Sequence, residues 1–570
     1  MPKAVSNSFP ERKKIAMYAK IDMWQVRAAR LLVILLICIQ PLYLSPERYI
    51  RLTYHKWSFL MFSMVIVLLC VFAIWAYRLT RNPRLLPQDK LRYFDWAVLL
   101  FALVTLVSTI FSPFRDLTNV WIGIEESAQR GGRYDGAITQ LSYVAIFFII
   151  SRWYRPNIKD FMIFGVSASL VALIGIFQFY GMDFFSLWPN HLPGLYHENF
   201  FDIFFRSTIG NVNIVATYVT VAILLCGFLF IRTDPDSDVG ANNQAAKCWY
   251  RYLLLAASAL NFWLMDISGS DSGLAGVGVT IFFAIPFIIE RRRYLGRALI
   301  LFSSWVAVFT VQRLFFHVHI LGESTVRSLW PFVMVYALLL IVGMLLVKLG
   351  KERIFELPPT QVAESEPESN GLQSDAVRTP EAPIKWKLGV ILIAATIVIG
   401  LVGVEIMGRE EAVRGEGFAS RLVFEAREVM HGNLRDEMGS GRIYIWRHTL
   451  SVVPDRLLIG YGPDTFEFSF PREAQYFMDA RFDTAHNEYL QILVSQGVLG
   501  ILTYVVFLVG IFLAAVRRAF KNPLTMAVLA AFFGYGIQAF FNISLPIVSQ
   551  MLWVFAGMLA SRKFDLESKV

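Results

Sequence analysis

One histidine stands where its chemistry would count. The segment Asp483-Thr484-Ala485-His486-Asn487-Glu488 opens directly into a long apolar run. Asp483 or Thr484 is predicted to cap that run as a helix, which places His486 in its first turn. A helix N-terminus disfavours imidazolium, so the ring is expected to be neutral, and a neutral imidazole can take a proton from a hydroxyl. The competing reading is a partly exposed histidine at the head of a membrane helix.

Arginine supplies the second kind of chemistry. Between Gly408 and Ala485 the chain carries ten arginines and no lysine. The guanidinium fork grips phosphate or carboxylate through two bonds, which an ammonium cannot do. Ordinary ion pairs, such as Arg427 with Glu425 and Glu428, compete for the same residues. Another arginine, Arg206, lies in Phe204-Phe205-Arg206-Ser207-Thr208-Ile209-Gly210-Asn211-Val212-Asn213, which also leads into an apolar run. It either meets an anion or snorkels to the headgroups.

Two further pieces lie within the arginine-rich segment: Ser440-Gly441-Arg442-Ile443-Tyr444-Ile445-Trp446 and the glycine-rich Gly460-Tyr461-Gly462-Pro463-Asp464-Thr465-Phe466. The second lacks the Lys and Ser/Thr of a phosphate loop and is predicted to be a tight turn. Gly273-Leu-Ala-Gly276-Val-Gly278 lies inside an apolar run, where small residues allow close helix packing. Four cysteines without paired spacing and eight scattered histidines suggest neither a metal site nor a disulfide framework.

The elements that must hold these residues follow from composition. The chain has 570 residues, 56% hydrophobic and only 17% charged. Soluble multidomain, disordered and fibrous classes are excluded, and the fold is expected to be all-α and polytopic. Apolar runs predict about 14 transmembrane helices. They start near Ala29, Trp57, Phe94, Ala137, Ile158, Gly210, Tyr252, Gly273, Arg297, Ser328, Leu388, Asn487, Pro523 and Pro546. A net charge of +9 is explained by basic cytoplasmic loops without invoking nucleic acid. With both termini inside, the clusters around Arg78–Arg92, Arg152–Arg155, Arg291–Arg293 and Arg517–Lys521 all fall in the cytoplasm. Only Arg48, Arg51 and Lys56 oppose that orientation.

The expected organisation is a cytoplasmic tail (1–28), helices 1–10 (29–349), a linker (350–387), helix 11 (388–407), one large extracytoplasmic helical loop (408–486), and helices 12–14 with a short tail (487–570). The linker is rich in Pro, Glu and Ser and lacks periodicity from Glu356 to Pro383.

The ordered set His486-Asn487, Leu490, Gly497 and Gly500, preceded by Arg442, Trp446, Pro454, Gly460, Gly462 and Phe466, resembles the bacterial O-antigen ligase and polymerase superfamily of membrane glycosyltransferases. Arg206, Gly210 and Asn213 are similar to that family's earlier Arg-Gly-Asn motif. Two departures stand out. Ser268-Gly-Ser-Asp-Ser272 lacks an arginine that the family often carries there, and about 14 spans exceed the roughly 12 common among ligases.

The resemblance implies transfer of an oligo- or polysaccharide from a polyprenyl (undecaprenyl) diphosphate carrier to an acceptor hydroxyl, on the outer face of a bacterial cytoplasmic membrane. The transfer would be inverting and metal-independent and would use no cofactor. His486 would be the base, Arg442 and Arg206 would hold the diphosphate, and Asn487 or Glu488 would orient the imidazole. Asn213, Tyr444 and Tyr461 are further candidates for substrate contact. The partners implied are the carrier-linked glycan, a lipid, cell-wall or glycan acceptor, and membrane lipids. Repeat-unit polymerisation and protein O-glycosylation are alternatives within the superfamily. Transport is a different class and would call for buried ionisable residues mid-span, whereas Asp266, Asp271 and Glu405 lie near span ends.

Overall fold

A computed structural model describes residues 9–81, 90–123, 133–188, 205–233, 249–318, 324–349, 394, 397–398, 400–406, 418–477 and 480–561. The chain is mostly helical. The strands among the described residues form two short antiparallel hairpins, β1 (Phe205–Arg206) with β2 (Gly210–Asn211) and β3 (Tyr476–Phe477) with β4 (Ala480–Arg481). The principal helices begin with α1 (Phe9–Val33), which continues through a π-turn to Leu42. They go on with α2 (Leu52–Arg81), α3 (Tyr93–Ile110), α4 (Ala137–Trp153), α5 (Ile158–Phe179), α6 (Val212–Arg232), α7 (Trp249–Ser268) and α8 (Asp271–Ile288). Then come α9 (Arg292–Val318), α10 (Ser324–Lys348), α11 (Phe418–Met430), α12 (Met438–Val452), α13 (Glu488–Ala519), α14 (Pro523–Ala539) and α15 (Gln550–Ala560).

Eight of these helices (α1, α2, α3, α5, α6, α9, α10 and α13) contain a stretch long and apolar enough to cross a membrane. The expected count of about 14 is not reached among the described residues. The apolar stretches of α4, α8, α14 and α15 are only 10–17 residues long, short of the roughly 20 needed to span hydrocarbon. Helix α7 carries Ser258, Asn261 and Asp266 along its length. Leu388 and the segment 356–383 lie outside the described residues. The expected N-terminal tail is already helical at Phe9.

The chain divides into two compact units. The first comprises Met1–Thr280, Val311–Ile320 and Leu434–Val570, and every candidate site residue belongs to it. Helix α6 is at its centre, buried on all faces and packed against α7 and α14, as an all-round apolar helix must be. Small residues let α8 and α14 approach α6 closely. A Cβ at Gly276 would lie 3.0 Å from Thr220 Cγ2, and one at Gly534 would lie 2.2 Å from Leu224 Cδ1.

Arginines tie one end of this bundle. Arg30 pairs with Asp160 at 2.6 Å, and Asp95 receives Arg92 at 3.2 Å and Arg152 at 3.0 Å. Arg232 donates to the carbonyls of Ala519 and Phe520 where α13 ends, and Arg518 donates to Leu559 near the end of α15. Cations at helix C-termini complement the macrodipole.

At the opposite end, Lys56 is fully buried and donates to the carbonyls of Gln40 (2.6 Å) and Pro41 (3.1 Å), where α1 runs out. The lysine that opposed the loop-charge pattern is therefore folded inward onto a helix terminus. Asn211, Asn487 and the chain from Arg133 to Gly136 lie at this same end, where α6, α13 and α4 begin.

The second unit comprises Ile281–Thr310 and Leu321–Asn433. In it α9 and α10 pack through facing glycines, since a Cβ at Gly296 would lie 2.7 Å from the Gly343 carbonyl. Arg427 of α11 and His431 just after it bond Glu405 at 3.3 and 2.8 Å, and Arg427 also pairs with Glu428 at 3.8 Å.

Candidate functional site

The cap of α13 is Asn487, not Asp483 or Thr484. Its Oδ1 accepts from the N–H groups of Tyr489 (2.9 Å) and Leu490 (3.1 Å). His486 therefore sits one residue outside the helix and not in its first turn. Its φ is 47°, and its own N–H donates to Thr484 Oγ1 at 3.1 Å. Asn487 wins because its short amide reaches two orphan N–H groups at once. The turn is held from outside by Trp446, whose indole N–H donates to the Ala485 carbonyl at 3.0 Å.

Arg442 is aimed by its backbone. Gly439, Ser440 and Gly441 are left-handed (φ 61°, 59° and 82°), and the regular part of α12 begins after them. The guanidinium donates to the Gly439 carbonyl at 2.8 Å and to the Phe541 carbonyl at 3.1 Å. The next residue, Asn542, lines a small pocket together with Arg133, Asp135, Asp464, Thr484 and His486. Arg133 grips Asp483 through two bonds, of 2.6 Å and 3.3 Å.

Two guanidinium groups thus act on a half-buried imidazole. Burial, reinforced by Arg442 and Arg133 and opposed by Asp483, pushes the His486 pKa down to about 4. The ring is neutral at ordinary pH, as expected, but burial and the arginines are the causes instead of the helix terminus alone. Burial works against the Asp483 charge, yet Arg133 holds that carboxyl below its usual range.

Asp464 reaches the pocket because α13 is broken. Gly497 has φ 68° and ψ −169°, which frees the carbonyls before it. Tyr461 and Gly462 donate their N–H groups to Val494 (2.9 Å) and Ser495 (2.8 Å), and Val498 donates to Leu457 (2.7 Å). The Gly460–Gly462 turn is docked on an unwound helix, with a Gly460 Cβ excluded by the Val494 carbonyl at 2.4 Å.

The remaining candidates are placed differently. Arg206 ends β1, over the rings of Phe179 and Trp188 at 5.8 and 5.7 Å, and is not among the residues lining the His486 pocket. Asn213 is linked to that pocket at one remove. Asn542 donates to its carbonyl and also to Thr217 Oγ1 at 2.6 Å. Glu488 is buried, accepts from Tyr504 (2.5 Å) and Tyr535 (3.1 Å), and lines a neighbouring pocket. Tyr444 stacks on Phe477 at 4.1 Å, and Tyr461 donates to the Val452 carbonyl at 3.0 Å. Both tyrosines pack on the aromatic core around Ile445 and Phe466 and do not line the pocket.

Arg133 and Asp135 were missed in the sequence. They head an apolar run as His486 does, and that shared placement was the available signal.

Residues 256–505 match the family model described as O-antigen ligase, a stretch that includes Arg442 and His486 but ends short of Arg206 and Asn213 on the N-terminal side. No curated protein matches the chain. With the eight apolar helices and the ordered motifs, this match supports the O-antigen ligase and polymerase superfamily for the stretch 256–505 of a multi-pass membrane protein.

Proposed function

We propose that the protein transfers an oligo- or polysaccharide from a polyprenyl diphosphate carrier to an acceptor hydroxyl at the outer face of the cytoplasmic membrane, as a ligase does. The observation that carries this reading is the neutral His486 held in one pocket under the field of Arg442 and Arg133. Diphosphate leaving needs positive charge at the developing anion, and a preorganised guanidinium supplies it without reorganisation. The attacking hydroxyl needs a base. An incoming diphosphate would neutralise the arginines that depress His486 and so raise its basicity once donor is bound.

In this mechanism His486 takes the hydroxyl proton as the oxygen attacks the anomeric carbon. The carbon–diphosphate bond breaks on the opposite face, and the anomeric centre inverts. Arg442 and Arg206 hold the diphosphate, and no step calls for a metal. Asn487 fixes the turn that carries the imidazole. The outward orientation is supported by the bundle itself, since the site lies at the end opposite the arginine clusters, and basic residues favour the cytoplasm.

Repeat-unit polymerase and protein O-oligosaccharyltransferase are the alternatives that share this chemistry. The deciding experiment follows carrier-linked and acceptor-linked glycan in the native host carrying His486→Ala. Loss of surface glycan with accumulation of long carrier-linked chains identifies a ligase. Accumulation of single carrier-linked repeats identifies a polymerase. Unchanged pools at normal protein level remove His486 from catalysis.

A further inference from the structure

Where the proton goes after His486 is a separate question. Asp483 is badly placed to take it, because both of its oxygens are engaged by Arg133. Across the same pocket lie Asp135 and Asp464, only 9% and 5% exposed. They touch each other through the Asp135 N–H, which donates to Asp464 Oδ2 at 3.4 Å, and Gln140 donates to Asp135 Oδ1 at 2.8 Å.

The pocket also continues inward. Asp135, Asp464, Gln491 and Ser544 line both it and a second cleft that runs past Glu488, Tyr143 and Tyr504. The enclosed space they share suits roughly a few water molecules. One buried group there points to water independently of the carboxylates. Gln496 is 2% exposed, lines the second cleft, and its Oε1 has no hydrogen-bond partner among the described residues. Buried amide oxygens are satisfied by protein or by ordered water.

We propose that the Asp135–Asp464 carboxyl pair receives the proton that His486 takes from the acceptor, through water held in the shared cleft. The proposal rests on the reading of His486 as the base. The imidazolium N–H bond breaks as its proton passes to water. That water gives a proton to the anionic oxygen of the pair, and the pair discharges to the outside. No oxidant or co-reactant is needed. The charged and titratable groups around the pair are Arg133, Asp483, His486 and Arg442 on the pocket side and Glu488, Tyr143 and Tyr504 on the inner side. Burial, with the neighbouring charges of Asp464 and Glu488, pushes the Asp135 carboxyl well above its usual range, so the pair retains protons readily.

The test uses the full chain in native-host membranes, with endogenous carrier-linked glycan as donor and the initial rate of its consumption as readout. Asp135→Asn and Asp464→Asn are compared with wild type from pH 5 to 9, with and without added formate. Asn tolerates the left-handed backbone of Asp464 (φ 56°), so that variant decides the matter if Asp135→Asn is not retained in the membrane. The expected result is a fall of at least roughly tenfold near neutral pH, recovered as formate concentration rises. An unchanged rate, or a slow rate that formate does not raise, overturns the proposal. His486→Gln run in parallel separates the two readings. It should be inactive and insensitive to formate, and normal transfer by it would sink the base itself.

Discussion

Trp446 donates its indole N–H to the carbonyl of Ala485, the residue just before His486, at 3.0 Å. Four residues earlier on the same helix, Arg442 donates to the carbonyl of Phe541, the residue just before Asn542, at 3.1 Å. Residues four apart share a helix face, so one face of α12 holds both loops that flank the pocket. The separation of base and cation is therefore set by a helical repeat and not by two independent loops.

Replacing Trp446 by Phe should keep the ring contacts with Phe540 and Phe541 and lose only the bond to Ala485. The stability loss should be about 1 kcal/mol. Transfer should fall roughly tenfold, because a small displacement of a catalytic group is costly. Thermal unfolding and the transfer rate measured on one preparation check this. A variant that unfolds earlier but transfers at the wild-type rate would show that the bond only braces the turn.

Arg442→Lys tests the geometry of the cation apart from its charge. A lysine cannot serve Gly439, Phe541 and a diphosphate at once from a single nitrogen. Losing a hydrogen bond to a charged group costs about 1.5–3 kcal/mol, or roughly 10–100-fold in affinity. The donor concentration for half-maximal rate should rise by that factor, with a smaller effect on the maximal rate. An unchanged donor requirement would remove Arg442 from the diphosphate site.

The depressed His486 pKa has a consequence for stability. Unfolded, the ring protonates near 6.5, whereas folded it stays neutral down to about 4. Between those values the unfolded chain binds a proton that the folded chain refuses, so stability falls as pH drops through this window. Above 6.5 the group contributes no pH dependence. The loss amounts to at most about 3 kcal/mol. Comparing unfolding midpoints of wild type and His486→Gln at pH 7 and pH 4.5 checks it: the wild type should lose more stability than the variant. Equal losses would place the titrating group elsewhere.

Much of the fold was legible because membrane spans are written in local composition. The helical character expected of the 408–486 loop rests on apolar spacing, through Ile443, Ile445, Trp446 and Leu450 in α12 and through Phe418, Leu422 and Met430 in α11. The number of crossings was less legible, because an apolar run does not reveal that α15 is helical for only 11 residues. At the site, the type of residue announced His486 and Arg442. Arg133 and Asp135 meet them from some 350 positions away, a relationship no local pattern encodes. Tyr444 and Tyr461 looked like ligand contacts because tyrosine serves both purposes, and here Phe477 and Val452 take their faces and hydroxyls. The cap was misassigned among three eligible neighbours, since Asp483, Thr484 and Asn487 all have side-chain acceptors and only geometry chooses.

Gly497 concentrates the remaining argument. Its backbone, φ 68° and ψ −169°, lies in a region essentially reserved for glycine. A Cβ there would sit 2.3 Å from the Leu458 carbonyl carbon and 2.4 Å from its oxygen. Gly497→Ala must then either force regular helix through the break or push the 457–462 loop away. Either response breaks the bonds from Tyr461 and Gly462 to Val494 and Ser495 and withdraws Asp464 from the pocket. Strain alone costs about 1–3 kcal/mol, and the lost loop contacts add to it. The variant should unfold at lower temperature, and its transfer rate should fall further than that of Gly500→Ala, whose Cβ would crowd Gln496 within α13 at 2.3 Å and not the 457–462 loop. Measuring both variants side by side decides the point. If Gly497→Ala is as stable and as active as Gly500→Ala, the break in α13 is not what holds the outer loop over the site.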